Sequence, residues 1–164
     1  MRKKLLWVLV LLTALFGAVN ICSAEDLTLT GEEFYTKFCD IAKILYGSSF
    51  CRTRLEETGE GFIFQTRGRY TIKLYTKSPE LNLRYAKIYF SIVAVSGDQL
   101  WTALLSFFLA ADNSLENLTY SHLEFLHDYI QNLLTYRGKI VYYDRIQIYG
   151  DIVERSMYFT AHGR

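Results

Sequence analysis

Residues 83–95 read Leu-Arg-Tyr-Ala-Lys-Ile-Tyr-Phe-Ser-Ile-Val-Ala-Val. Ala86, Ile88, Phe90, Ile92 and Ala94 alternate with Tyr85, Lys87, Tyr89 and Ser91. Successive side chains of an extended chain point to opposite faces, so this stretch has one oily face and one of rings and ammonium groups. The same alternation stands upstream in residues 69–77, where Tyr70, Ile72 and Leu74 alternate with Thr71, Lys73 and Tyr75. Before that, residues 61–67 place Phe62 and Phe64 on one side, and residues 49–57 alternate more weakly through Cys51, Thr53 and Leu55. Turns are expected at residues 58–61, at Gly68 and around Pro79, the chain's one proline. Period-two patterning over this length predicts an antiparallel meander with a single buried face.

Helices flank the meander. Thr30, Glu33 and the apolar Leu29 and Phe34 form a capping box with a hydrophobic staple, and Phe34, Phe38, Ile41 and Leu45 then share a helical face up to Gly47. This predicts a helix over 31–46. Ser96-Gly97-Asp98-Gln99 is a second capping box. It opens residues 100–111, where only Thr102 and Ser106 interrupt the apolar residues, the pattern of a helix covered on nearly all sides. Ser114 caps a third stripe, from Leu115 through Leu118, His122, Phe125, Leu126, Tyr129, Ile130 and Leu133, ended by Gly138. The last segment reads as a hairpin of residues 139–149 and 152–161 around Gly150-Asp151, with Ile146, Ile148, Met157 and Phe159 inward. Strand runs segregated from helix runs give an α+β fold: an antiparallel meander plus a C-terminal hairpin, with three helices packed on one face.

The N-terminus carries an export signal. Arg2, Lys3 and Lys4 precede an uncharged apolar run over 5–21, and Cys22-Ser23-Ala24 places small residues before Glu25. That order predicts a signal peptide over 1–24, cut between Ala24 and Glu25, leaving one domain over 25–164 in a secreted or periplasmic setting. If left uncut, the same run would be the only membrane attachment. The full chain has 18 basic and 17 acidic side chains, net +1, and loss of the three leader cations makes the remainder −2. Neither value draws a protein to nucleic acid, which is not an expected partner. Cys39 and Cys51 remain after cleavage, and in an oxidising compartment an even pair is read as a disulfide. The alternative is two free thiols.

Catalytic and metal-binding patterns are weak. His122 and His127 are five residues apart, about 140° around a helix, and cannot grip one ion together. Glu124 and Asp128 share a helical face as solvated acids, and Glu56, Glu57 and Glu60 lack the spacing of a calcium loop. There is no nucleophile elbow, phosphate loop or dinucleotide fingerprint, so no metal or cofactor is expected. A small exported hydrolase built from Cys39 or Cys51 with His122 or His127 and Asp128 is one alternative reading. With no mechanistic motif present, an enzyme is the less expected role. A second alternative is a self-associating subunit, a homodimer completing the burial of helix 100–111.

The expected functional surface is the outward face of the meander. Arg69, Lys73, Tyr75, Tyr85, Lys87 and Tyr89 are expected to form a basic, tyrosine-rich patch there, with Lys77 beside it. Tyrosine offers flat contact area at low entropic cost, and cations stack on its ring. The expected role is a non-catalytic binding module for an unknown protein, peptide or glycan.

Overall fold

A computed structural model describes residues 24–47, 49–91, 97–113, 120–153 and 156–164. The leader over 1–23, the strand end and cap over 92–96 and the Ser114 cap lie outside the described residues, as does the His122 side chain. The chain is α+β, as the patterning predicts. Helix α1 (Gly31–Tyr46) precedes strands β1 (Glu56–Thr58), β2 (Gly61–Gln65), β3 (Thr71–Tyr75) and β4 (Tyr85–Ser91). Helices α2 (Gly97–Asp112), α3 (Tyr120–Gln131) and the single turn α4 (Leu133–Tyr136) follow. Strands β5 (Ile140–Tyr143), β6 (Ile146–Val153) and β7 (Ser156–Gly163) end the chain. The seven strands make one sheet in the order β1-β2-β3-β4-β7-β6-β5, and every pair is antiparallel.

Helix α1 starts where its cap requires. The Thr30 hydroxyl accepts from the Glu33 amide at 3.4 Å while the Glu33 carboxylate accepts from the Thr30 amide at 2.7 Å, so two end amides that no helical carbonyl could reach are satisfied. Gly47 ends it with φ 76, its amide donating to the Lys43 carbonyl. The buried face of α1 meets the sheet through Tyr35 and Phe38, whose rings pack on Phe64 of β2. Helix α2 is buried along residues 102–112 because α1 and α3 lie against it on one side and the sheet on the other. Phe108 carries the contact to the sheet, meeting Phe159 of β7. All three long helices therefore cover the apolar face made by Phe64, Ile72, Leu74, Ala86, Ile88 and Phe159. Residues 102–112 of α2 are thus covered inside one chain, while Leu100 and Trp101 stay partly exposed.

Residues 25–29 form a strap across one end of the sheet. Glu25 bridges to Gly163, the Leu27 amide donates to the Leu83 carbonyl, and the Leu83 amide donates to the Leu29 carbonyl. Leu27 and Leu29 are buried beneath it.

Four local expectations change. The strand foreseen over 49–57 shrinks to β1 and an isolated bridge from Cys51 to Thr66. The Arg52 and Thr53 amides both turn to one carbonyl, that of Gln65, and the Thr53 hydroxyl takes the Gln65 amide, so no ladder can form there. The long helix breaks at Asn132, whose side-chain amide reaches back to the Asp128 carbonyl and carboxylate. Gly150-Asp151 is not a turn. Gly150 lies in β6 opposite Phe159, where an added Cβ would stand 2.4 Å from the Phe159 ring. The pairing with β7 instead runs on to Val153–Ser156, and an additional turn at Asp144-Arg145 divides the first arm into β5 and β6, so the expected hairpin contains three strands. Asp144 adopts φ 41, and the buried Asp112 carboxylate at the end of α2 accepts from the Arg145 amide at 3.0 Å.

Candidate functional site

Strand register places every outward side chain. One row across the sheet runs Glu56, Ile63, Lys73, Lys87, Thr160, Tyr149 and Ile140. A second runs Thr58, Gly61, Tyr75 and Tyr85 to His162, then Gln147 and Tyr142, and a third joins Thr71, Tyr89, Tyr158 and Asp151. No helix of the described residues packs on this face, since the ring contacts of α1, α2 and α3 to the sheet all fall on the opposite one.

Five of the six expected residues meet here: Lys73, Tyr75, Tyr85, Lys87 and Tyr89. Arg69 does not join them. It sits in a 3-10 turn over Arg67–Arg69 with φ 60, after Gly68 at φ 77, and these two left-handed residues hold it off β3, which begins at Thr71. Tyr142, Tyr149, Tyr158 and His162 of the C-terminal strands join the face unforeseen. Their period-two spacing, opposite Ile146, Ile148 and Phe159, was the signal that could have found them. What hid it was the misplaced turn and the lack of any sequence rule pairing β4 with β7.

The rings cluster on the sheet, one pair stacked and the others tilted. Tyr75 and Tyr85 are parallel within 21° at 4.3 Å, and His162 continues the row 5.0 Å from Tyr85. Tyr89, Tyr158 and Tyr149 follow at 6.1 and 6.3 Å. The Lys87 ammonium lies 4.6 Å from the Tyr158 ring and 5.6 Å from the Tyr89 ring, and Lys73 also lies 5.6 Å from Tyr89. Lys73 and Lys87 are direct cross-strand partners. Like charges so placed repel, and the ring faces beneath them offset part of that cost. Among the described residues the ion pair within 4.0 Å is Arg137–Asp151, and neither lysine has a carboxylate partner.

The crowding shows in the ionisable groups. Burial raises Tyr75, helped by a hydroxyl bond to Tyr89, and burial likewise raises Tyr85 and Tyr158, so all three remain neutral donors at physiological pH. His162 is held below its ordinary 6.5, first by burial and then by the Lys87 charge, against a hydrogen bond with the Arg84 backbone that favours protonation. A histidine lowered in the folded state is neutral there while the unfolded chain protonates at its ordinary value. Stability is thus complete above about pH 6.5 and falls as the pH drops through the folded value. Thermal melts between pH 8 and pH 5 are expected to show this slope, and His162→Gln should flatten it; an unchanged slope would assign the acid sensitivity to other groups.

Four residues of the alternative hydrolase, Cys39, Cys51, Asp128 and His127, are otherwise engaged. Cys39 and Cys51 form a disulfide with Cα atoms 5.8 Å apart, and a bonded sulfur has no thiolate to offer. Asp128 accepts from Asn132 and from the Tyr136 hydroxyl, and the exposed His127 ring lies edge-on to Trp101. The disulfide is compatible with an extracytoplasmic location. No helix among the described residues is long and apolar enough to cross a membrane.

The site is thus an open sheet face of clustered tyrosines around two ammonium groups that have no carboxylate partner among the described residues, on an α+β fold. Comparison with protein-family models, curated proteins and solved structures finds no match.

Proposed function

We propose that this is an exported, non-catalytic binding protein whose open tyrosine-lysine sheet face captures an acidic partner, a protein, peptide or glycan. The observation that carries the reading is the Lys73–Lys87 cross-strand pair, ringed by Tyr75, Tyr89 and Tyr158 without a neutralising carboxylate among the described residues. A like-charge pair costs folding stability, and an anionic ligand converts that repulsion into affinity. Rigid rings lower the entropic cost of binding, since each has few torsions to freeze. Export rests on the tripartite leader, with cleavage after Ala24. The disulfide supports it. Sequencing of the mature N-terminus should begin at Glu25.

The double variant Lys73→Gln/Lys87→Gln tests the face. Its affinity for an acidic hexapeptide or acidic glycan is expected to fall at least about tenfold, the loss of one charged hydrogen bond or more. Its melting temperature should hold or rise slightly, because the repulsion is gone. Equal binding by variant and wild type in calorimetry would overturn the reading.

A further inference from the structure

The sheet has two edges, and the chain treats them differently. At one end β1 is three residues long, wholly exposed, and carries Glu56 and Glu57. Short length and charge are the usual protections of an edge whose amides and carbonyls would otherwise invite another strand. At the other end β5 reads Ile140-Val141-Tyr142-Tyr143, with no charge, no proline and an unbroken register to β6. Ile140 is 57% exposed and Tyr142 47%, both on the open face, while Val141 on the helix side is half-buried. Tyr143 and Ile146 close the Asp144-Arg145 turn, so they form a hydrogen-bonded pair. Alternation along an antiparallel ladder makes Val141 and Ile148 the next such pair. The amides and carbonyls of Ile140 and Tyr142 therefore point away from β6, to a side on which no strand lies among the described residues.

We infer that β5 pairs with β5 of a second copy of this chain, antiparallel about a two-fold axis at Val141, so that both sheets join into one. The sequence of β5 is the partner its own edge fits. In this register Ile140 lies opposite Tyr142 of the second copy and Tyr142 opposite Ile140, each an aromatic beside a β-branched side chain on the open face. Their backbone groups are the ones aimed at the edge, so each pair exchanges both of its hydrogen bonds. Val141 meets Val141 of the second copy on the helix side, where its burial is completed. Lys139 falls opposite Tyr143, so no cation directly faces another. A shift of two residues in either direction sets Ile140 against Asp144 or Tyr142 against Gly138, and the side-chain match is lost. A two-fold contact closes on itself, giving a dimer and no fibre. The axis stands across the sheet, so the open faces of both copies, with their lysine pairs, lie on one surface.

Sedimentation equilibrium of the mature protein tests the pairing. The wild type is expected to show twice the mass of one chain at high concentration and to dissociate on dilution. Tyr142→Pro removes an amide that faces the free edge and leaves the β6 ladder whole, and it should weaken the dimer at least about tenfold. Ile140→Lys/Tyr142→Lys sets ammonium groups directly opposite one another across the axis and should weaken it as much, with cooperative thermal unfolding retained. Under oxidation Val141→Cys should give a covalent dimer, because facing residues of a non-hydrogen-bonded pair stand about 4.5 Å apart at Cα, within disulfide reach. Ile140→Cys should not cross-link. A monomer at every concentration, a dimer untouched by both edge variants, or equal cross-linking at 140 and 141 would overturn the assignment. So would a monomer whose Ile140 and Tyr142 amides gain hydrogen-exchange protection only when an alternating Val-Thr hexapeptide is added, a result that would give the edge to a foreign strand.

Discussion

Phe108→Ala is expected to lower the free energy of unfolding by about 3–5 kcal/mol. Phe108 is wholly buried, and its ring meets Phe107 of its own helix, Tyr129 of α3 and Phe159 of β7, each edge to face. Removing it takes away transfer energy and also leaves a cavity at the junction of two helices and the sheet, where three rigid rings cannot collapse inward together. Domains of this size are stable by only about 5–15 kcal/mol, so the variant should unfold at markedly lower denaturant with an unchanged slope. A loss below about 1 kcal/mol would mean that α2 is not held between its neighbours as described.

The second large effect is expected from the disulfide. The Cys39–Cys51 bond closes a loop with a sequence separation of 12 residues and ties the middle of α1 to the irregular segment before β1. The chain-entropy estimate for such a loop is about 3 kcal/mol, and at this chain length that amounts to a fall of roughly 10 °C in melting temperature. Thermal unfolding with and without dithiothreitol measures it, and Cys39→Ala/Cys51→Ala should match the reduced protein. In the absence of reductant neither sulfur should react with an alkylating agent. Reaction at both positions, or an identical melting point after reduction, would count against the bond and would restore the thiol chemistry that the alternative hydrolase requires.

How much of this was legible beforehand follows from the range of each interaction. The capping box at Thr30, the stop at Gly47 and the alternation in β2, β3 and β4 depend on residues three or four positions apart or on neighbours in one strand. They could be read directly, and with them five residues of the open sheet face. The C-terminal strands were harder. Gly150-Asp151 has turn chemistry, yet the Phe159 ring lying against Gly150 makes it a strand position. Tyr142-Tyr143-Asp144-Arg145 has no glycine, yet it turns because Asp112, more than thirty residues earlier, supplies the acceptor for the Arg145 amide.

The amino-acid order by itself determined which segments curl, which extend, and which side of each strand is oily, because those preferences are set by covalent geometry and by contacts a few residues long. It determined that Cys39 and Cys51 could meet and that Lys73 and Lys87 would share a side with tyrosines. The tertiary structure alone decided that β7 joins β4, bringing Tyr149, Tyr158 and His162 beside those lysines and merging two meanders into one sheet. The reason is physical. Strands far apart in the chain are matched by how well their buried faces pack beneath shared helices, here Phe90 beside Phe159 under α2, and that matching is a property of the assembled core.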